Sequence, residues 1–408
     1  MEELKAGWRR VRLGDVIESI SDTTKIIEDE VVLINTSDVY DGKVLNHQLV
    51  ENKGLKGQFK KRFKYGDILY SEIRPINRRF AKIKFDSTNY LASTKLMILR
   101  KKENALIDEE YIYQLLKSDK IISELQQIAE SRSGTFPQIT FNELKTLEFF
   151  LPSLETQKKI TSILSSLDEK IELNRKINQN LEEICQNYFL EIFIKNSNKN
   201  CSVGQISDLG NIVSGATPSK KNLKYYTNFG IPWITPKDLS KNFNKFISRG
   251  NLDITELGFK NSSVRLLPKG SVLFSSRAPI GYIAICSNDV TTNQGFKSIV
   301  PFKNIGTEFV YYFLKNNVQF LESRASGSTF KEISTTIMAT TPAIIPKEDP
   351  LKVFKKICIN IFEKQYIIEK ETEKLIELRD YLLPKLMNGE IDVSNLKISE
   401  ILNSDKFN

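Results

Sequence analysis

Apolar residues along this chain follow two periods, and each period is used twice. Strand-like alternation falls at Glu30–Ser37, Gly66–Ile73, Ala81–Phe85 and Leu96–Lys101, after a short segment at Trp8–Ile20, with Gly, Pro and Asn between the runs. A helix is predicted from Asp108 to Glu130, with Tyr111, Leu115, Ile122 and Leu125 on one face. The same plan returns with strands near Trp233–Thr235, Ser271–Ser275, Ile280–Cys286 and Ser298–Pro301, then a helix from Thr307 to Ser323. Strands first and a helix late define an α+β module. After Pro152, apolar side chains recur every three to four residues: Ile160, Ile163, Leu164, Leu167, Ile171, Ile177, Leu181, Ile184, Tyr188 and Ile192. After Pro346, Phe354, Ile357, Ile361, Ile368, Leu375, Leu378 and Leu382 do the same. Each stretch predicts a long helix of roughly 35–40 residues whose narrow seam needs a partner. Asn174, Asn178, Gln365 and Thr372 interrupt the seams. The polar stretch Asn196–Cys201 links the halves, and Asn388-Gly389 closes the second helix.

The two halves also repeat in sequence. Leu13-Gly14-Asp15-Val16-Ile17 returns as Leu209-Gly210-Asn211-Ile212-Val213, and Gly66-Asp67-Ile68-Leu69-Tyr70-Ser71 as Gly270-Ser271-Val272-Leu273-Phe274-Ser275. Ser133-Gly134-Thr135-Phe136 returns one residue longer as Ser326-Gly327-Ser328-Thr329-Phe330. Order is preserved at offsets near 200 residues, which is a duplicated domain with a helical appendix, not an array of small repeats.

Charge sharpens this picture. The net charge is +9 over 408 residues, and both helical stretches are close to neutral. Residues 200–346 hold 16 basic against 8 acidic side chains, and residues 51–102 hold 15 against 4. Positive charge confined to the modules is the footprint of a polyanion binder. Cys185, Cys201, Cys286 and Cys358 lack C-x-x-C spacing and read as reduced thiols. No signal-peptide core or membrane span is evident, so a cytoplasmic protein without membrane contact is expected. The single histidine, His47, has no catalytic company and reads as a surface residue. A G-x-x-x-x-G-K-[ST] loop, an F-x-G-x-G string, an Asn-Pro-Pro-aromatic tetrad and helical metal-ligand pairs are all missing from the sequence. A binding protein is indicated, with no catalytic residue.

Several strings carry a family likeness. Ser133-Gly134-Thr135-Phe136-Pro137-Gln138-Ile139, followed by Phe150-Leu151-Pro152 and the Gln157-Lys158-Lys159-Ile160 helix opening, resembles the junction in specificity subunits of Type I restriction–modification enzymes. Gly215-Ala216-Thr217-Pro218, Asn293-Gln294-Gly295-Phe296 and Leu382-Leu383-Pro384-Lys385-Leu386-Met387-Asn388-Gly389 are similar to further patterns of that family. The second junction, Pro346-Lys347-Glu348-Asp349-Pro350-Leu351, departs from it by lacking the Gln at position 157. The first repeat has Ser19-Ile20-Ser21-Asp22 where the second has Gly-x-Thr-Pro.

The resemblance implies two repeated α+β target recognition domains, each followed by a long α-helix, the helices pairing as an antiparallel coiled coil. The domains are then 1–152 and 197–346, the spacer helices 153–196 and 347–393, and the tail 394–408. It implies double-stranded DNA as ligand, read at a bipartite, asymmetric site. Two DNA methyltransferase (modification) subunits and restriction/translocase subunits are the implied partners. S-adenosylmethionine, ATP and Mg2+ are expected on those partners and none on this chain. Candidate DNA contacts are Arg74, Arg78 and Arg79 on one loop, with Arg277 as the second-repeat counterpart, because guanidinium suits both guanine and phosphate. Lys60, Lys61 and Arg62 form a second cluster, and Thr217, Lys220 and Lys221 a third. The Ser-Gly-Thr turns read as backbone geometry. A specificity subunit of a related non-Type I system, or a self-contained methyltransferase or nuclease, remains open at this point.

Overall fold

Both repeats are built on one strand plan. The computed structural model describes residues 7–55, 57–132, 135–241, 244–277, 279–327 and 331–393. In the first repeat, Arg9–Arg12 pairs antiparallel with Glu148–Leu151, so the start and end of the module close on each other. An antiparallel sheet follows in the spatial order Ile17–Ile20, Leu96–Lys101, Ile68–Ser71, Phe80–Lys82. A second sheet runs Leu49–Glu51, Glu30–Ile34, Tyr90–Ser93, Phe59–Lys61, with its central pair parallel. In the second repeat Cys201–Gln205 closes on Pro342–Pro346. Its main sheet is ordered Gly210–Ser214, Lys297–Pro301, Val272–Ser276, Ile280–Cys286, Phe246–Ile247. The smaller sheet is Tyr226–Thr227, Leu252–Ile254, Ile231–Ile234, Thr291–Thr292, again with one parallel pair.

The strands Ile68–Ser71 and Val272–Ser276 explain why the apolar runs there are continuous. Side chains alternate faces along a strand. Ile68 and Tyr70 pack into the core beneath the helices, while Leu69 packs into the core between the sheets. Val272 and Phe274 divide from Leu273 in the same way. Each strand is a middle layer, buried on both faces. Gly66 and Gly270 precede them with φ of +90° and +86°, a turn that an L side chain would strain.

The module helices are shorter than their periodicity predicts. The first is two helices, Glu109–Leu116 and Asp119–Arg132. The Ser118 hydroxyl donates to the Leu115 carbonyl and accepts from Ile121 N–H at 3.5 Å, closing one helix and opening the next. The second breaks at Asn317, between Thr307–Asn316 and Val318–Ser323.

The chain divides into two compact units, one of residues up to Lys170 together with those from Leu375 onward, the other Ile171–Lys374. Packing thus groups each module with stretches of both long helices, where the sequence-drawn division separates modules from helices. The central helix is Leu154–Phe189, continued as a π-helix at Leu190–Lys195, and the distal helix is Glu348–Met387. In the second unit Asn174 donates to Glu371 and Thr372, Gln365 donates to the Asn178 carbonyl, and Phe189 packs on Phe354. Partner numbers fall as central-helix numbers rise, so the pairing is antiparallel. In the first unit Arg379 pairs with Asp168 at 3.3 Å, and Ile160, Ile163, Leu164 and Leu167 share a core with Leu382, Leu383 and Leu386.

One expectation about the seam is corrected. Beyond Ile171 the buried positions are Asn174, Cys185, Phe189 and Phe193, not Ile177, Leu181, Ile184 and Tyr188. Asn174 is 1% exposed and Gln365 2%, so these polar residues are the seam there and fix its register by hydrogen bonds. The stripe Leu173, Ile177, Leu181, Ile184 and Tyr188 lies outside it, with Leu173, Ile184 and Tyr188 exposed.

Both modules grip the central helix through equivalent positions of their first helix. Gln114 Nε2 and Lys117 Nζ bind the Asp168 carboxylate at 3.2 and 2.5 Å. Tyr312 and Lys315, at the same helix positions in the second repeat, bind Glu182. Lys245 adds a second cation to Glu182 and lies 3.9 Å from the centre of the Phe362 ring. Gln157 explains the differing junctions. It accepts from Asp108 N–H and donates to the Pro152 carbonyl, whereas Leu351 at the equivalent place enters the apolar core.

Candidate nucleic-acid interface

Motifs that are far apart in sequence meet at one place in each module. In the first, the loop after Ile68–Ser71 runs alongside the segment after the Ser-Gly turn: Ile73 bridges Gln138, Arg74 N–H donates to the Pro137 carbonyl and Ile139 N–H to the Glu72 carbonyl. Lys95 reaches both Glu72 and Gln138, at 3.5 and 3.3 Å. In the second module Arg277 bridges Glu332, and Ile333 N–H donates to the Ser276 carbonyl. The Gly-Ala-Thr-Pro and Asn-Gln-Gly-Phe strings join the same locus. Gly215 N–H donates to the Phe296 carbonyl and Ser276 N–H to the Gly295 carbonyl. A Cβ on Gly215 would lie 1.9 Å from the Asn293 carbonyl oxygen, which accounts for glycine there. Ser133, Gly134, Ala278 and Ser328–Phe330 fall outside the described residues.

This register corrects one pairing. Glu72 and Ser276 each accept from the isoleucine after the Ser-Gly turn, and Ile73 and Arg277 each bridge the residue before it. Arg277 is therefore the structural counterpart of Ile73, one place removed from Arg74. Its guanidinium lies 3.6 Å from Glu332, which Lys297 also approaches at 3.3 Å. Both Arg277 and Glu332 are more than a third exposed, so this pair holds Arg277 only weakly.

The predicted cations differ in how free they are. Lys60 and Arg74 are exposed and have no ion pair among the described residues. Arg74 is held at φ +45°, and Arg78 at φ +53°, on either side of the 3-10 turn Pro75–Asn77. Such backbone costs on the order of 1–2 kcal/mol per residue and is maintained here by surrounding bonds. Arg78 supplies them: it binds Asp41 at 3.1 Å and Asp119 at 2.6 Å, and its carbonyl accepts from Asp41 N–H. Arg78 is a brace for the loop, with its charge already matched. Lys61 is spent as well, donating to the Thr94 and Leu96 carbonyls at 2.9 Å each, and burial lowers its pKa. Arg62 reaches the Thr88 carbonyl at 3.5 Å and Arg79 the Thr36 hydroxyl at 3.3 Å, both half-buried. Lys220 and Lys221 are exposed on a loop anchored by Tyr226, whose hydroxyl donates to the Pro218 carbonyl. The Thr217 hydroxyl donates to Gln294 Oε1. Gln138 and Gln294, quoted in the family-like strings, and Lys95 are not among the candidate contacts drawn from the sequence, because the contacts that single them out join residues 43 to 77 positions apart.

Comparison with known proteins agrees with this duplicated architecture. The family described as "Type I restriction modification DNA specificity domain" matches twice, at residues 5–183 and 198–378. The chain belongs to that family and is a DNA specificity subunit of the Type I restriction–modification class. It is 32% identical to the Type I restriction enzyme HindI specificity subunit of Haemophilus influenzae, over 94% of this chain and 99% of that one. It is 37% identical to the MjaIX specificity subunit of Methanocaldococcus jannaschii over 54% of this chain and 50% of that one. A solved Type I restriction–modification S subunit from M. genitalium shares the fold, with a TM-score of 0.59 at 17% identity, covering 95% of this chain and 98% of that one. No helix among the described residues is long and apolar enough to cross a membrane.

Proposed function

We propose that each module reads one half of a bipartite, asymmetric site on double-stranded DNA, and that the long helices set the spacer and carry the partners. The observation that carries this reading is the locus described above. The same backbone framework in both modules brings together different side chains, Arg74, Lys95 and Gln138 in one and Arg277, Gln294 and Glu332 in the other. Rigid backbone with exchanged side chains is suited to reading two unlike sequences. Lys60, Lys220 and Lys221 supply sequence-independent phosphate attraction, joined by Arg62 and Arg79 where their weak carbonyl and hydroxyl contacts release them. Selection of randomised duplexes by the full chain, assembled with its modification subunits, tests the proposal. Two short defined elements separated by an unread spacer are expected. One continuous palindromic motif would contradict it.

The apolar stripe from Leu173 to Tyr188, exposed at Leu173, Ile184 and Tyr188, supports docking of the modification subunits on the central helix, since contiguous apolar surface on a helix marks an interaction site. Methylation and cleavage, with S-adenosylmethionine, ATP and Mg2+, are assigned to the modification and restriction/translocase subunits, as the sequence offers no motif for them. Ile184→Glu with Tyr188→Glu is expected to abolish co-purification with a modification subunit while leaving the unfolding temperature of the chain unchanged. Undiminished assembly would place the partner elsewhere.

A further inference from the structure

The second module holds an aromatic ring in solvent on a turn that is fixed from every side. Phe229 is 87% exposed between the strands Tyr226–Thr227 and Ile231–Ile234. Phe229 N–H donates to the Thr227 hydroxyl at 3.3 Å, Gly230 N–H to the buried Asp253 carboxylate at 2.8 Å, and Arg249 to the Asn228 carbonyl at 3.3 Å. Asp253 also pairs with Arg249 at 2.6 Å, and that guanidinium lies 6.0 Å from the centre of the Phe229 ring. A Cβ on Gly230 would lie 2.5 Å from the Ile254 carbonyl oxygen, so the turn is pressed onto the strand beneath it. The surroundings say what such a tip can meet. Residues 215–237 contain Lys220, Lys221, Lys224 and Lys237 and no acidic residue. The first three are exposed, as is Leu223 at 82%. The Tyr226 hydroxyl holds the Pro218 carbonyl, and Thr255 holds the carbonyls of Lys224 and Tyr225, so the lysine loop and the turn form one body. A rigid apolar tip among unopposed lysines matches a nucleic-acid duplex, the cations meeting phosphates and the ring a base step.

We propose that Phe229 is a wedge that enters the base stack beside the half-site bound by the second module, opening one step and bending the duplex there. The inference rests on the DNA-reading function above. The first module cannot do the same. Leu96 is paired to Ser71 as Phe296 is bridged to Ser275. Four residues earlier, Ala92 pairs with Ile34 and Thr292 with Ile234. Counting back from these strands, the first module presents Glu28-Asp29-Glu30, all exposed, where the second presents Asn228-Phe229-Gly230. Three carboxylates repel a phosphate backbone, so the distortion is confined to one side of the bipartite site.

The test uses the full chain with its modification subunits, bound to duplexes of its selected site. The probe is 2-aminopurine, placed in turn at positions flanking each half-site and away from any methylated adenine. The unaltered complex is expected to raise fluorescence at one step beside the second module's half-site and at none beside the first, and to bend the duplex in a circular-permutation gel. Phe229→Ala is expected to return that fluorescence to the level of free duplex and to reduce the bend. Phe229→Leu, still an apolar wedge, should retain both. Both variants should keep their unfolding temperature and their modification subunits, because the ring lies outside the core. Undiminished fluorescence and bend in the Phe229→Ala complex, or a sequence-specific unaltered complex with no unstacked step, would overturn the inference. Loss of the modification subunits from the Phe229→Ala chain would overturn it as well, by making Phe229 a protein contact. Absence of any sequence preference in the unaltered complex would instead overturn the proposed function itself.

Discussion

Lys60 and Lys61 are neighbours of the same type, yet Lys60 has no ion pair among the described residues and Lys61 holds two backbone carbonyls. A lysine's type and position in the sequence do not distinguish these cases; the partner atoms are the Thr94 and Leu96 carbonyls, more than 30 residues away. The same holds for Arg74 and Arg78, which sit four residues apart on one loop and divide into an exposed guanidinium with no ion pair among the described residues and a brace. Substitution should separate them. Lys60→Ala is expected to weaken binding to all sequences and to lower the salt slope by roughly 0.9, the value of one phosphate contact. Arg74→Ala is expected to cost about 1–3 kcal/mol at one half-site only, if the side chain reads a base. Arg78→Ala should lower stability by about 1–2 kcal/mol, since it strips two carboxylates of their partner and frees a strained loop. Thermal unfolding and filter binding across a salt series measure all three. An Arg78→Ala chain of full stability would remove the bracing role.

Strands and long helices were legible in the apolar pattern because burial on one or both faces leaves a period in the sequence. Their ends and partners were less so. Ser118 broke a predicted helix by a local hydroxyl bond that periodicity does not register. The seam just beyond Ile171 escapes the apolar pattern because its buried positions there, Asn174 and Gln365, are polar, while the apolar stripe beside it lies outside the seam. Glu369, on the distal helix where it meets the second module, has a measurable consequence. Its carboxylate accepts from Lys245 and Phe246 N–H at 2.8 and 3.1 Å, near the ammonium of Lys245 and the carboxylate of Glu373. Burial raises its pKa from 4.5 to about 7. The folded chain therefore holds a proton that the unfolded chain releases between these values, and this contribution to stability is complete below pH 4.5 and lost above about pH 7. Its size is up to about 3 kcal/mol. Glu369→Gln, which keeps one acceptor, should flatten that part of the stability profile between pH 5 and 8, read by denaturant unfolding. An unchanged profile would show that Glu369 titrates normally.

Across the whole molecule, duplication was the most legible property, since three strings in fixed order at near-constant offset survive even where the surface loops have diverged. Structure added where the flanking residues meet: Glu72–Arg74 with Pro137–Ile139 in the first module and Ser276–Arg277 with Glu332–Ile333 in the second, and the register there reassigns Arg277 from Arg74 to Ile73. A chain that reads two elements with two modules should behave as two separable readers joined by a spacer. Inserting about 7 residues, two helical turns, between Leu167 and Leu181 is expected to lengthen only the unread spacer, provided the seam stays in phase. The central claim is that recognition is divided between the modules, and one exchange tests it most directly. Residues 1–152 are replaced by the corresponding module of another family member, and the motif bound by the full complex is read from selected or methylated DNA. The account predicts that one half-site changes to that of the donor while the other half-site and the spacer are retained. A motif altered at both ends would show that recognition is a joint property of the two modules.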